Sequence, residues 1–330
     1  MNSNITQKLE LFASNVQEVK KEFIWHDMIT KRLAALMYSL DNKKINCEEI
    51  KNSRELIKSQ AGAFSMFRGS SNLCIATLLS LSDNQHELFS NTLSVYDMLK
   101  KVKLSSSDFL AISAYQIAAH GNSEQYWQIV ERTRAFYDGM KANHYFLTGA
   151  DDYIFAAMLG LSDTDVNDGV IKIEQIFTQL KSEFWATNSV QTLAQVLTLC
   201  KNSDETLSRI LILRDALKNR GLKLDKTYTL PSLGILALLS SDIDSVVTDV
   251  WEAQFFLREQ KGFGVLSVST QELLMFSSAI AASAYSENLN DNILTASLAT
   301  TVTNIIIAQQ AAMLAAASSA AAASVAASSN

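Results

Sequence analysis

The sequence predicts an all-α chain of stacked helical hairpins, and three observations carry that expectation. The 330 residues include one proline, Pro231, and only 11 glycines. Both residue types disfavour helix interiors, so their scarcity favours helix along the whole length. Apolar residues recur at helical spacing from the start, in the set Leu9, Phe12, Val16 and Val19 and again in Ile29, Leu33, Leu36 and Leu40. Finally, an apolar residue followed by a basic one closes each amphipathic segment: Ile57-Lys58, Leu99-Lys100, Met140-Lys141, Leu180-Lys181, Leu217-Lys218 and Leu257-Arg258. Successive intervals are 42, 41, 40, 37 and 40 residues.

Residues 1–44 read as N-terminal helices, 45–285 as about six helical-hairpin copies, and 286–330 as an uncharged C-terminal helix with an Ala/Ser-rich tail, all within a single domain. In each copy the first helix is amphipathic. Aromatic residues or leucine follow its end: Phe64, Tyr145 and Phe146, Phe184 and Trp185, Leu222, Phe263. Gly62, Gly221 and Gly262 stand where a left-handed residue would stop the helix. Short polar residues then suit the cap of the second helix: Ser105 to Asp108, Thr148, Thr187 to Ser189, Thr227 and Thr229, Ser267 and Ser269. The second helices, LCIATLLSL, DYIFAAMLGL, VQTLAQVLTL and LPSLGILALL, are apolar nearly all round and so belong inside the stack. One hairpin cannot bury such a surface alone, so neighbours must stack. The period is close to the roughly 40–47 residues of HEAT and armadillo units. An α-solenoid or α/α superhelix follows, with a closed α/α toroid as the alternative.

Composition narrows the function classes. With 28 basic and 34 acidic residues the net charge is −6. No basic stripe stands out, which argues against nucleic acid as a partner. Cys47, Cys74 and Cys200 are scattered and form no CxxC pair, as expected of a reducing cytoplasm rather than a disulfide framework or thiolate zinc site. The N-terminus carries charges at once and has no apolar signal core. From 292 to 330 there is no charge, but Gln309, Gln310, Ser318 and Ser319 interrupt the best window and no cation anchors it. A terminal helix over Leu298 to Leu314 is expected there, with peripheral membrane attachment through 292–330 as an alternative.

Five stretches, IWHDMITKRLAALMYSL, FSMFRGSSNLCIATLLSLSDN, GMKANHYFLTGADDYIFAAMLGLSD, YTLPSLGILALLS and IIIAQQAAM, resemble the bacterial domain of unknown function family four thousand and three. The likeness covers nearly the whole chain and is most specific at Phe146, Leu147, Thr148, Asp151, Asp152 and Tyr153. It implies a low-GC Gram-positive bacterial setting and no particular activity.

Candidate sites are few. His144 with Asp151 and Asp152 is the densest polar cluster; it could serve acid–base chemistry or a divalent cation. The same aspartates fall in the first turn of the second helix, where they would cap free amides, and capping is the favoured reading. Asp163, Asp165, Asn167 and Glu174 approximate a calcium loop, but Asp168 stands where the turn needs glycine, and an inter-repeat turn explains them better. His26-Asp27 lacks the further histidines a phosphohydrolase would need. Arg68, in the first connection, could meet an anion at a helix N-terminus. Tyr145, Phe146, Trp185 and Phe263 would fall along one rim, either packed back on their own hairpins or forming a ridge for a partner. No phosphate loop, GxSxG elbow or HExxH motif occurs, and no cofactor or small-molecule substrate is expected. The balance lies against an enzyme. The expected role is a cytoplasmic, non-catalytic scaffold or adaptor whose partner is another protein. The alternative is a toroid enzyme or metal-binding protein built on His144, Asp151 and Asp152.

Overall fold

A computed structural model describes residues 2–63, 65–69, 71–199, 203–224, 229–239 and 241–287. The terminal helix and Ala/Ser-rich tail expected from the sequence, together with Phe64, Cys200 and Thr227, lie outside the described residues. Among the described residues there are fourteen α-helices and no strand. They are α1 (Ser3–Glu22), α2 (Met28–Leu40), α3 (Cys47–Gln60), α4 (Asn72–Ser80), α5 (Gln85–Lys101), α6 (Asp108–His120), α7 (Tyr126–Asn143), α8 (Tyr153–Leu161), α9 (Val166–Leu180), α10 (Thr187–Thr198), α11 (Ser203–Asn219), α12 (Leu230–Ala237), α13 (Ile243–Glu259) and α14 (Thr270–Glu287). None is long and apolar enough to cross a membrane.

Helices pair along the chain, α1 with α2, α3 with α4, α5 with α6, α7 with α8, α11 with α12 and α13 with α14. First helices stack on first helices, α3 on α5 and α5 on α7, and second helices on second helices, α6 on α8 and α10 on α12. Burial follows from composition. In α5 only the stripe Phe89, Thr92, Val95, Tyr96 and Leu99 is buried, whereas in α8 every residue from Tyr153 to Gly160 is. The apolar member of each closing pair, from Ile57 to Leu257, is buried. Its basic neighbour lies in or just past the last turn, where a cation complements the helix dipole. Helices α1 and α2 share this design: Val19 is buried, Lys20 exposed, and α2 is buried from Thr30 to Leu40.

The chain divides into two compact units. One holds residues 46–174; the other holds residues up to 45 and the described residues from 175 onward. In the second unit α1 packs on both α13 and α14, and α2 on α14, so the two ends of the described chain meet. Phe12 of α1 sits between Phe263 and Phe276, with ring centroids 5.4 and 5.2 Å away.

The helix stops are a repeated joint. After α11, Leu222 N donates to Leu217 O at 2.9 Å and Gly221 N to Lys218 O at 2.9 Å, with Gly221 at φ +78°. This is the Schellman arrangement. The same pair of bonds follows α5, Leu104 N to Leu99 O and Lys103 N to Lys100 O, but with Lys103 at φ +64°. Glycine marks this joint at Gly221; Gly262 is also left-handed, at φ +89°, in the connection after α13, while Gly62 is not left-handed and Ala61 beside it is extended. A side chain in the left-handed region meets its own carbonyl, so Lys103→Gly is expected to stabilise the protein by about 1 kcal/mol. A rise in the urea unfolding midpoint checks this; an unchanged or lower midpoint refutes it.

Candidate functional site

The connection between α7 and α8 is built from the end of one helix and the start of the next. His144 is the C-cap of α7, and its amide donates to Met140 O at 2.9 Å. Its ring meets a carboxylate of the next helix. Nε2 lies 2.6 Å from Glu174 Oε2, on α9. Asp152 is buried and ends the short 3₁₀ turn Ala150–Asp152 that leads into α8. Its Oδ2 accepts from the Gly149 amide at 2.9 Å, while its own amide donates to Gly149 O at 3.3 Å. An acidic side chain reaching back three residues to an open amide is one half of a capping box. His144 is thus joined to α9, and Asp152 closes the turn. Removing the cap with Asp152→Ala is expected to cost about 1 kcal/mol, more than Asp152→Asn, which keeps an acceptor. Equal losses for the two variants in denaturant unfolding would count against this role.

The acidic link before α9 is likewise structural. Asp165 Oδ1 accepts from the amides of Asn167 at 2.9 Å and Asp168 at 3.2 Å, as an N-cap does. Arg132 of α7 donates to the carbonyls of Gly160, Ser162 and Thr164 at 3.0, 2.8 and 2.7 Å. A guanidinium thus holds backbone oxygens of the link from inside, and Asp163, Asp165 and Asn167 point outward, exposed. Among the described residues no three His, Cys, Asp or Glu side chains gather where they could share a metal ion. Asp27 caps α2, accepting from Thr30 N at 2.8 Å. Cys74 is buried, and burial pushes its thiol up to about 12, so it is a packing residue and not a nucleophile.

The connections inside the hairpins separate the aromatic residues into two sets. Phe23, Phe184 and Phe263 are buried, and the residues just after them are not. Trp25 is 96% exposed, Trp185 101% and Leu266 104%, and Phe146 in the α7–α8 connection is 96% exposed. Tyr145 is exposed beside it, 5.4 Å from its ring. Phe263 is core, with the Arg32 guanidinium 5.9 Å over its ring, and does not belong to an exposed rim.

The model of the family described as "Protein of unknown function (DUF4003)" matches residues 15–311. The chain belongs to the DUF4003 family. An uncharacterized protein of Bacillus subtilis (strain 168), YeaA, is 28% identical over 310 residues, which cover 89% of this chain and 88% of the relative. No solved structure matches. Neither the family's description nor the relative's name assigns an activity, so chemistry has to be read from the residues. In this DUF4003 chain, sequence reasoning missed Ile24, Trp25, Val265 and Leu266, all exposed in connections. The signal was present: in each case a buried phenylalanine comes first, and the next apolar residues in a short turn have no inward direction left.

Proposed function

We propose that this DUF4003 protein is a non-catalytic binding protein of the bacterial cytoplasm. Its partner is another protein, recognised through the connections inside the hairpins. The observation that carries this reading is the recurrence of a fully exposed large apolar side chain at Trp25, Phe146, Trp185 and Leu266, each in a connection between the two helices of a hairpin. Aromatic side chains are enriched at the centres of protein contacts because they bury much area with few rotatable bonds. At Trp25, Trp185 and Leu266 the turn is anchored by a buried phenylalanine and presents the exposed side chain without further ordering, which lowers the entropic cost of association. The placement of His144 on Glu174, and of Asp152 on a backbone amide, supports structural joints over an acid–base centre.

Site-specific photo-crosslinking in a Gram-positive host tests the reading. Probes at Trp185 and Leu266, which belong to the same unit, should give adducts with one protein, and a probe at Asp244, exposed in the first turn of α13 at the other end of that helix from Leu266, should not. Adducts that are the same at all three positions, or none at Trp185 and Leu266, would overturn it.

A further inference from the structure

The connection between α3 and α4 carries charge beside its buried core residue. Its buried phenylalanine is Phe67, and the exposed residue that follows is a cation, Arg68. Arg68 lines a cavity of about 440 Å³ together with Lys51, Arg54, Glu55, Lys58 and Asn72. Lys51, Arg54 and Lys58 are three and four residues apart on α3 and so share one helix face, where like charges repel and weaken the helix. Glu55 is the single carboxylate among these lining residues, 3.3 Å from Lys58. Four cations around one cavity are conspicuous in a chain whose net charge is −6.

Arg54 is fixed in the wall. Its Nε donates to Asn72 Oδ1 at 2.8 Å, and Asn72 Nδ2 donates to Phe67 O at 2.9 Å. This relay ties the guanidinium to the first residue of α4 and to the same turn that carries Arg68. Arg54 is half-buried; loss of hydration disfavours its charged form, the Glu55 carboxylate opposes that shift, and a bound anion would oppose it further.

We propose that this cavity binds a small phosphorylated metabolite, with its phosphate held between Arg54 and Arg68 and Lys51 and Lys58 supplying further charge. Guanidinium groups match phosphate oxygens in a planar, two-pronged geometry, whereas lysine acts as a point charge. The volume falls within the roughly 300–1,000 Å³ of small-molecule sites. The site is separate from the apolar tips, and neither proposal rests on the other.

Isothermal titration of the full chain with inorganic pyrophosphate and with AMP tests it, alongside a single-stranded deoxyoligonucleotide. Saturable one-site binding is expected for at least one of the two small anions. Arg68→Ala should weaken it about tenfold or more, as loss of a charge-assisted contact does. Arg54→Gln should weaken it comparably, and Lys218→Ala, far from α3 in sequence, should leave it unchanged. Arg68 is exposed, so its alanine variant should keep the wild-type melting curve, which separates lost binding from lost fold. No saturable binding of either anion, or equal affinity in Arg68→Ala and wild type, would overturn the proposal. Tighter binding of the oligonucleotide than of both small anions would overturn it in favour of a nucleic-acid groove.

Discussion

Replacing Glu272 by alanine is expected to destabilise the unit that contains it by about 3–5 kcal/mol, because it strands a buried positive charge. Arg32 Nη1 donates to Glu272 Oε1 at 2.9 Å, with the two side chains 2% and 13% exposed. Burial pushes the Glu272 carboxyl up, and the guanidinium beside it opposes that shift. Arg32 also donates from Nη2 to Ser267 O at 2.8 Å and Gly262 O at 3.3 Å, so it binds α2 to the connection before α14. Glu272 is in the first turn of α14, where a carboxylate also favours the helix dipole. Take the carboxylate away and the arginine keeps its backbone acceptors but loses its counter-charge. Glu272→Gln retains an acceptor and should cost less. A double replacement of Arg32 and Glu272 by methionine and leucine should be milder than Glu272→Ala alone, since desolvation of both charges is then avoided. Urea unfolding distinguishes these cases. A loss below about 1 kcal/mol in Glu272→Ala would mean that the pair is solvated and weak, as exposed pairs are.

That pair also marks where the sequence stops being legible. Arg32 lies in TKRLAALM and reads locally as a surface cation on an amphipathic helix. Its partner is 240 residues away. Nothing in local periodicity encodes the packing of α1 and α2 on the hairpin of α13 and α14, because each of those helices would show the same stripe against any neighbour. The hairpins themselves were legible for the opposite reason. A first helix with one buried stripe and a second helix buried all round are direct consequences of composition at helical spacing, and the stops recur at nearly fixed intervals.

His144 shows the intermediate case. Sequence proximity joined it to Asp151 and Asp152, seven and eight positions on, and the turn between them uses Asp152 as a cap. Stacking of the next helix supplies Glu174 instead, 30 residues away. Lys103 is similar. A left-handed stop was expected to announce itself with glycine, but the Schellman bonds after α5 impose the conformation on a lysine. For His144, packing between neighbouring helices decides what the local residue preference leaves open, and for Lys103 the backbone bonds of the helix stop do.

The sharpest test of the connections sets two adjacent residues against each other. Phe184→Ala should cost about 3–5 kcal/mol, the usual loss for a buried aromatic ring that leaves a cavity. Trp185→Ala should change stability by less than about 0.5 kcal/mol, as expected of a surface position without buried partners. Both lie between α9 and α10, and composition alone ranks tryptophan as the larger apolar group. The structure inverts that ranking. Phe184 is buried under the Arg214 guanidinium, 5.6 Å from its ring, and Arg214 is itself held by Glu183 at 2.8 Å and by Asp215 at 2.8 Å. Trp185 is exposed on all sides. The contrast also bears on function: the exposed indole is apolar area that a partner would remove from water, which favours association. Denaturation of the two alanine variants measures the first half of this argument, and indole quenching by acrylamide, compared between wild type and Trp185→Ala, the second. Comparable losses of stability in the two variants would mean that Trp185 packs on its own hairpin, and the connections would then be staples and nothing more.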